Sequence, residues 1–318
     1  MKLHHCVVSA ALLLSLSPLA AQACSSCGCT ISSDWGSQGL ATKSGLHFDL
    51  RYDYVNQSEL RSGSHRVDRG DFPLPNDREI ELETINRYTT LGVDYGRGDW
   101  GLNLQLPIVD RTHSTYPEVE AELSSSRSSS IGDARLMFRY QGFTPEKSLG
   151  VQVGLKLPTG SHDVRFRAGT EAGEPLDRGL QPGTGTTDML LGVFKFGPMS
   201  QNLDYFAQAL VQAPLDASDG YRPGTALNLN LGLRYLASER FVPELQLNAR
   251  NSWRDRGPDA DADNSGGSLL NLSPGLSVKL GERFDAFAFV QLPVLQHVNG
   301  LQLAPRYSVS VGARYDFR

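Results

Sequence analysis

The chain has 318 residues, of which 40% are hydrophobic, and a formal net charge of −5. This balance excludes a disordered chain, and the scattered basic residues form no patch for a phosphate backbone, so no nucleic-acid partner is expected. A helical membrane protein is excluded too, because no apolar run after residue 23 approaches the roughly 20 residues that a membrane-spanning helix needs.

The first 23 residues have the pattern of an export signal. Lys2 precedes an apolar stretch over 7–19, and Ala21-Gln22-Ala23 forms a small-x-small cleavage site. We therefore expect a signal peptide over 1–23, a periplasmic cysteine-containing segment or plug over 24–43, and one β-barrel domain over 44–318.

Three cysteines, Cys24, Cys27 and Cys29, follow the predicted cleavage site. An odd number of thiols in an oxidising compartment leaves at least one free, shared between chains, lipidated or metal-bound. Such a cluster suits a soft ion such as Cu(I), or zinc with a fourth ligand from elsewhere. The alternative is a disulfide with a leftover or acylated thiol, although Ala21 is an unusual residue three positions before a lipidated cysteine.

Apolar and polar side chains alternate at period two in segments of about ten residues. From Trp100 to Ile108, apolar residues at even positions alternate with Gly, Asn, Gln and Pro. This pattern is typical of a strand with one face in lipid and the other toward a polar lumen. It predicts twelve strands, and the one that begins at residue 187 separates least well into two faces. The strands lie near 45–55, 84–95, 100–110, 132–142, 149–157, 187–196, 203–213, 225–236, 242–251, 268–280, 284–294 and 305–317.

The connections between these strands alternate in length. Long ones end near residue 83 and cover 111–130, 159–186, 216–224 and 252–267, whereas short ones cover 96–99, 144–148, 197–202, 237–240 and 281–283. This alternation predicts an all-β fold, a transmembrane antiparallel up-and-down β-barrel of about twelve strands. Both chain ends then lie on the short-turn side, in the periplasm of a Gram-negative bacterium.

A soluble β-sandwich would also alternate, but its exposed faces would be rich in charge. Here the second face is mostly Asn, Gln, Ser and Gly, and aromatic residues cluster at strand ends, as the interfacial girdles of a membrane barrel require. These aromatic residues are Tyr88, Tyr95, Trp100, Tyr140, Tyr235, Phe241 and Phe284. The pattern therefore favours a barrel in contact with outer-membrane lipid.

The last strand carries Ser310, Gly312, Tyr315 and Phe317 at alternating positions. This arrangement resembles the C-terminal signal by which the barrel assembly machinery recognises its substrates. Arg318 departs from the signal because it follows the terminal aromatic residue. The alternative is an ordinary last strand with alternating aromatics.

Three stretches in the middle third of the chain resemble one further family. They are Ile131-Gly132-Asp133 leading into Leu136 and Arg139-Tyr140, the run from Gly154 to Gly160, and the run from Gln181 to Gly185. Together they are similar to outer-membrane proteins associated with the meta-cleavage pathway of phenol degradation. The resemblance implies a channel or transporter without naming its cargo, and ordinary loop punctuation is the alternative reading of these glycines and prolines.

Charged residues on the polar faces are the candidates for lining the lumen. They either filter solutes or close the narrow barrel by pairing across it, and the sequence leaves both open. The candidates are His47, Asp49, Arg51, Asp53, Asp133, Arg135, Arg139, Glu244, Arg250, Arg306, Arg314 and Asp316.

Alternate aspartates in one long connection, Asp259, Asp261 and Asp263, offer oxygen ligands that suit calcium. The motif lacks the glycine and the final glutamate of a calcium-binding loop, so a solvated acidic loop is the alternative.

We expect a monomeric outer-membrane channel for the passive passage of small, apolar or aromatic solutes. One alternative is an accessory barrel that handles metal or redox chemistry through the cysteine cluster. Another is a barrel enzyme, which the sequence disfavours because its histidines lie in or near loops, or lack a serine at matching strand positions.

Overall fold

The computed structural model describes Gln38 and residues 44–238 and 240–317. Thirteen strands and two single-turn 3-10 helices, Arg69–Asp71 and Arg178–Leu180, are found in these residues. The strands are β1 Gly45–Gly63, β2 His65–Arg66, β3 Ile80–Arg97, β4 Trp100–Tyr116, β5 Ser124–Ile131, β6 Ala134–Tyr140, β7 Leu149–Leu157, β8 Asp188–Ser200, β9 Leu203–Pro214, β10 Ala226–Tyr235, β11 Phe241–Ser252, β12 Gly267–Lys279 and β13 Phe284–Phe317.

The strands form one antiparallel sheet that closes on itself. Neighbours in the sheet follow chain order from β3 through β4 and β6 to β13, and β1 pairs with both β3 and β13. In the closing pair, Leu46 lies opposite Phe317 and Asp53 opposite Ser310. Closure leaves no free edge, so every strand in the wall satisfies its backbone hydrogen bonds on both sides.

The last strand, β13, reverses at Gly300, which adopts a positive φ of 54°. Its first leg pairs with β12 and its second with β1, and the amide of Asp316 donates to the carbonyl of Arg283 between the two legs. Eleven strand elements therefore close the wall, while β2 and β5 lie off the main path. Because β13 crosses twice, the wall has the twelve passes that the sequence predicts.

Two predicted boundaries are wrong. The stretch 111–130 is not one long connection, because β4 continues to Tyr116 and pairs with β5 above the rest of the wall. The expected connection between 294 and 305 is also replaced by continuous strand around the Gly300 turn. The hydroxyl-rich sequence of β5, with six serines, gives no apolar alternation from which a strand could be predicted.

β5 and β6 continue one another along β4, with a break at Gly132 and Asp133. β4 pairs with β5 from Ile108 upward and with β6 from Gln105 downward. Pro107 occupies the break and has no amide hydrogen to donate, and its carbonyl accepts from the Gly132 amide. The break directs Asp133 into the barrel, where it is buried.

Apolar side chains cover the outside of the barrel and polar side chains fill its inside, the opposite of a water-soluble protein. Leu102, Leu104 and Ile108 of β4 are exposed on the outer face, whereas Asn103 and Gln105 between them are buried inside. Exposed aromatic residues, among them Tyr95 and Trp100, gather where strands meet short turns. The predicted outward and inward faces of β4 are therefore confirmed.

Outward-facing charges mark where this apolar belt ends. Arg87 donates to Asp110 over 2.9 Å, and Arg127 lies 3.7 Å from the same carboxylate. Since charge on the lipid face is costly at mid-bilayer depth, the belt lies between this level and the Trp100 end of β4. No helix among the described residues is long and apolar enough to cross a bilayer.

We call the two ends of the barrel the short-turn end, with connections such as 98–99 and 201–202, and the long-loop end. The connection over 158–187 is the longest at the long-loop end. We call it the inward loop, because its residues Leu176 and Leu180 are buried and it bonds to side chains of the barrel interior.

Candidate permeation path

At the short-turn end, buried charges join strands that are distant in the sequence. Asp94 of β3 accepts from Arg139 of β6 and from Asn103 of β4, each over 3.3 Å. Arg314 of β13 lies 3.5 Å from Asp94 and 3.6 Å from Asp49. One carboxylate thus holds two guanidinium groups across the closing strands, which narrows this end of the lumen.

A second group of charges lies along the closing strands β1 and β13. Arg51 donates to Asp53 over 2.8 Å, and Ser310 donates to the same carboxylate over 2.5 Å. His47 lies 2.6 Å from Asp316 through Nδ1. The sequence-predicted candidates on β1, β6 and β13 are therefore brought together, in a network that pairs charges rather than leaving them free.

Four other candidates lie elsewhere. Arg135 donates to Gln212, Glu244 accepts from Ser277, and Arg250 donates to Asn228, over 3.1, 2.5 and 2.9 Å. Arg306 is exposed instead of lying with the buried candidates, and this expectation is wrong. A register shift between Asn56 and Gln57 of β1 places an extra residue between Pro305 and Tyr307, and the extra residue, Arg306, leaves the inward face.

The middle of the lumen carries a neutral ladder of amides. Gln208 donates to Gln152, Asn230 to Gln208, and Asn248 to Asn230, over 2.9, 3.1 and 2.8 Å. Gln152 reaches Gln208 across β8 because Gly192 stands between them without a side chain. These bonds link β7, β9, β10 and β11 along the wall and leave no net charge at this depth.

A buried lysine forms ion pairs where the two ends of the inward loop meet the wall. Lys156, near the end of β7, lies 2.9 Å from Asp133, which precedes β6, and 3.2 Å from Asp188, the first residue of β8. Asp133 also accepts from the amides of Gly160 and Thr184, each over 3.0 Å. Sequence reasoning found Asp133 but missed Lys156 and Asp188, whose partners come together only when the barrel forms.

This node contains the three stretches that carry the family resemblance. Thr159 donates to the carbonyl of Gly132, and Gly183 donates to Ser161, both over 2.8 Å. A Cβ on Gly160 would lie 2.7 Å from the Cα of Gly183, so the two glycines approach more closely than side chains allow. These glycines and their neighbours, which the sequence alone would place in ordinary loops, make the contacts that hold the inward loop inside the barrel.

Arg111 on β4 holds the second half of the inward loop. Its Nη1 donates to the carbonyls of Leu180 and Gln181, and its Nη2 donates to Tyr88 over 3.2 Å. Gln181 then donates to the carbonyls of Val164 and Leu176, over 2.9 and 2.8 Å. The Arg111 guanidinium therefore adds a connection between the wall and the loop backbone to those made by Asp133 and by Ser125 of β5, which pairs with Ala168. Arg111 was not among the predicted residues.

Two groups of apolar side chains interrupt the polar interior. In the inward loop, Phe166, Leu176 and Leu180 pack together with Val164. Nearer the short-turn end, Phe194, Phe196 and Phe206 form a buried cluster. We call these the loop cluster and the phenyl cluster. They place apolar surface at both ends of the amide ladder.

A cavity of about 550 Å³ lies at the long-loop end, bordered by the inward loop and five other segments. We call it the outer-mouth cavity. Among the residues that the structure describes, eight carboxylates and two guanidinium groups line it. Its lining includes Asp77 and Glu79 before β3, Glu118 between β4 and β5, and Glu171 and Asp177 of the inward loop.

The carboxyl groups of this cavity repel one another when charged, which raises their pKa values. Burial raises the pKa of Glu79 well above its usual value, and the charges of Asp177 and Glu81 add to the rise. Desolvation by the surrounding protein, with the charges of Asp261 and Glu171 nearby, raises the pKa of Asp177 to about 6, although its side chain is exposed at the cavity surface. The cavity is therefore an acidic site whose charge changes near neutral pH.

The expected calcium ligands do not converge on one point. Asp261 accepts from Asn264, and Asp263 lies 3.2 Å from Arg254. Within 44–238 and 240–317, no group of three or more His, Cys, Asp or Glu side chains has the geometry to hold a metal ion. The predicted cysteine ligands Cys24, Cys27 and Cys29 lie outside the described residues, as do the predicted signal peptide and most of 24–43.

Several solved structures share this fold. An outer-membrane channel from Pseudomonas putida F1 is 13% identical, with a TM-score of 0.63, over 90% of this chain and 100% of that one. The transport unit of the autotransporter AIDA-I from Escherichia coli is 10% identical, with a TM-score of 0.51, over 87% of this chain and 92% of that one. No protein-family model and no curated protein sequence matches the chain. At these identities the likeness establishes the fold alone, and the chain has the closed antiparallel fold of a bacterial outer-membrane β-barrel.

Proposed function

We propose that this protein is a passive outer-membrane channel for small apolar or aromatic solutes, with its short-turn end in the periplasm. The observation that carries the proposal is the interior of the barrel, which is largely polar but contains buried apolar side chains, among them those of the loop cluster and the phenyl cluster. A polar wall supports passage of water-soluble molecules, and apolar side chains at two depths favour solutes with an apolar part.

The inward loop supports a narrow path. It is held by Arg111 at Leu180 and Gln181 and by Lys156 and Asp133 at its base, so its position is defined by buried polar bonds. A loop fixed inside the wall restricts the size of solute that passes. The charge network around Asp94 narrows the opposite end in the same way.

Uptake into liposomes tests the proposal directly. Phenyl β-glucoside and methyl β-glucoside are both neutral and water-soluble. They differ only in the group on the anomeric oxygen, which is aromatic in the first and a methyl group in the second. We expect liposomes that contain the folded protein to take up both, and the phenyl compound faster than its size alone predicts. If neither enters faster than into protein-free liposomes, the barrel is not an open channel.

A substitution in the loop cluster tests the aromatic preference. Phe166→Ser removes an apolar ring from the inward loop, so the advantage of phenyl β-glucoside should fall. Phe143→Ser is the matched control, because Phe143 is exposed near the short-turn end and lies outside both clusters. An equal loss of preference in both variants would contradict the assignment of the loop cluster.

The association with phenol degradation and recognition of Gly312, Tyr315 and Phe317 by the barrel assembly machinery stay predictions. Tyr315 and Phe317 are exposed and their rings lie 4.8 Å apart, next to Phe48 of β1. This places them on the outer face of the closing strands, where an assembly factor has access to them.

A further inference from the structure

The outer-mouth cavity has more negative charge than its own cations balance. Arg178 donates to the carbonyls of Thr184 and Ser218 and stacks on Tyr221, so its position is fixed by the loops. Glu118 and Glu171 form no ion pair with any described residue. An uncompensated carboxylate lining attracts cations and repels anions.

A second observation comes from the wall behind the cavity. His113 of β4 is only 2% exposed, and its Nδ1 lies 2.8 Å from Thr84 Oγ1. Its Nε2 has no hydrogen-bond partner in the described part of the chain and lies 4.0 Å from Oε1 of Glu79, which lines the cavity. In the tautomer whose Nδ1–H donates to Thr84, Nε2 is an acceptor, and one ammonium group lying beside this nitrogen and the Glu79 carboxylate would donate a hydrogen bond to each.

The volume of the cavity and the spacing of its carboxylates indicate which kind of cation fits. The cavity volume of about 550 Å³ falls within the range of small-molecule sites. The carboxylates are distributed around it rather than gathered at one point, and the described residues contain no cluster suited to a metal ion. A small organic molecule that carries an ammonium group fits this arrangement better than a bare divalent ion.

We propose that the outer-mouth cavity binds small organic cations and gives the channel a preference for cations over anions. The preference rests on the channel proposed above, whereas the binding does not. The raised pKa values of Glu79 and Asp177 agree with it, because a bound cation would relieve the repulsion between these carboxylates.

Calorimetry on the folded protein in detergent tests binding without any need for conduction. The probe is benzylammonium, whose three N–H groups can donate hydrogen bonds, with benzenesulfonate as the anionic counterpart of similar size. We expect saturable binding of the cation and none of the anion. The variant Glu118→Gln/Glu171→Gln/Asp261→Asn should weaken cation binding at least tenfold.

A matched variant controls for net charge. Asp71→Asn/Glu122→Gln/Glu146→Gln removes the same three charges from residues outside the cavity lining, and it should bind the cation as the native protein does. Absence of binding to the native protein, or equal weakening in both variants, would overturn the site. The single variant Glu118→Gln, at an exposed loop position, gives the same comparison if the triple variant does not fold.

Reversal potentials in a KCl gradient then test the selectivity. We expect a potassium-to-chloride permeability ratio above one, which falls to one or below in the cavity variant and is kept in the matched variant. Cation binding together with a silent bilayer would contradict the channel and leave the site intact. An open channel with equal permeability to both ions would overturn the inferred selectivity.

Discussion

Glycines and phenylalanines are matched across neighbouring strands on the inner face. In each pair the ring occupies the space that a side chain on the opposite residue would need. The pairs are Phe194 with Gly150, Phe206 with Gly232, and Phe289 with Gly275. This matching fills the short-turn end with aromatic volume while the wall stays in register, as aromatic cover of strand glycines is known to do.

Gly232→Ala tests this matching. A Cβ there would lie 2.1 Å from Cε1 of Phe206, and the rigid ring must move out of the phenyl cluster. We expect a loss of roughly 1–3 kcal/mol in the free energy of unfolding, the usual cost of overpacking. Denaturant unfolding of the detergent-solubilised barrel measures it.

Gly197→Ala is the control, because a Cβ there meets nothing closer than 3.8 Å. Adding Phe206→Leu to Gly232→Ala should restore part of the lost stability. If the two single glycine variants are equally stable, the ring does not constrain Gly232.

At the scale of single elements, the two halves of strand β4 have different surroundings. β4 presents leucines outward and amides inward along its lower half, and its upper half reaches the level of the Arg87–Asp110 pair. The lower half therefore belongs to the apolar belt, and the upper half stands above it and supports β5 and the inward loop. Substitutions in the two halves should differ accordingly.

Leu104→Arg places a charge on the apolar belt. At mid-bilayer depth this costs roughly 2–4 kcal/mol, so we expect impaired folding into lipid vesicles. Ser129→Arg is the control, since Ser129 is exposed on β5 opposite Asp110, where charge already occurs. Equal folding yields of the two variants would show that the belt lies elsewhere.

Arg111→Met removes the donor that holds the loop carbonyls of Leu180 and Gln181. We expect the inward loop to lose its fixed position and the single-channel conductance to increase and fluctuate. Arg127→Met, on the exposed face of the neighbouring strand, should leave conductance unchanged. A narrower or unaltered pore in Arg111→Met would mean that the loop does not restrict the path.

At the scale of the whole molecule, charge is divided by depth. Paired charges lie at the short-turn end, along the closing strands and at the base of the inward loop, neutral amides link β7 to β11, and excess carboxylates line the long-loop end. A solute that enters from the long-loop end meets the acidic region first. The ion selectivity of the proposed channel should therefore change with pH as these outer carboxylates titrate.

The cation preference should weaken on acidification. The pKa of Asp177 is about 6, raised by the surrounding protein and by Asp261 and Glu171, with Arg178 beside it in the chain. Above this pH the carboxyl is charged, and below it the carboxyl is neutral, so the negative charge at the mouth falls between pH 8 and pH 5. Reversal potentials at the two pH values measure the change, and Asp177→Asn should reduce it. A preference that rises toward pH 5 would contradict the assignment.

The sequence by itself determined the closed barrel, its twelve passes and the faces of its strands. Leu104 is exposed and Asn103 is buried, as period two requires, because each strand side chain alternates sides regardless of what lies beyond it. Predicted inward charges such as Arg51, Arg139 and Arg314 follow from the same rule. Arg306 does not, because a local register shift interrupts the alternation.

Only the tertiary structure decided which of these residues meet. Asp94 contacts Arg314 from the other end of the chain because β1 brings β3 and β13 together. The outer-mouth cavity likewise gathers Glu79, Glu118 and Asp177 from three connections that show no common pattern. Strand periodicity is a local property of the backbone, whereas the partners of a buried charge depend on how the sheet closes and how its loops fold back.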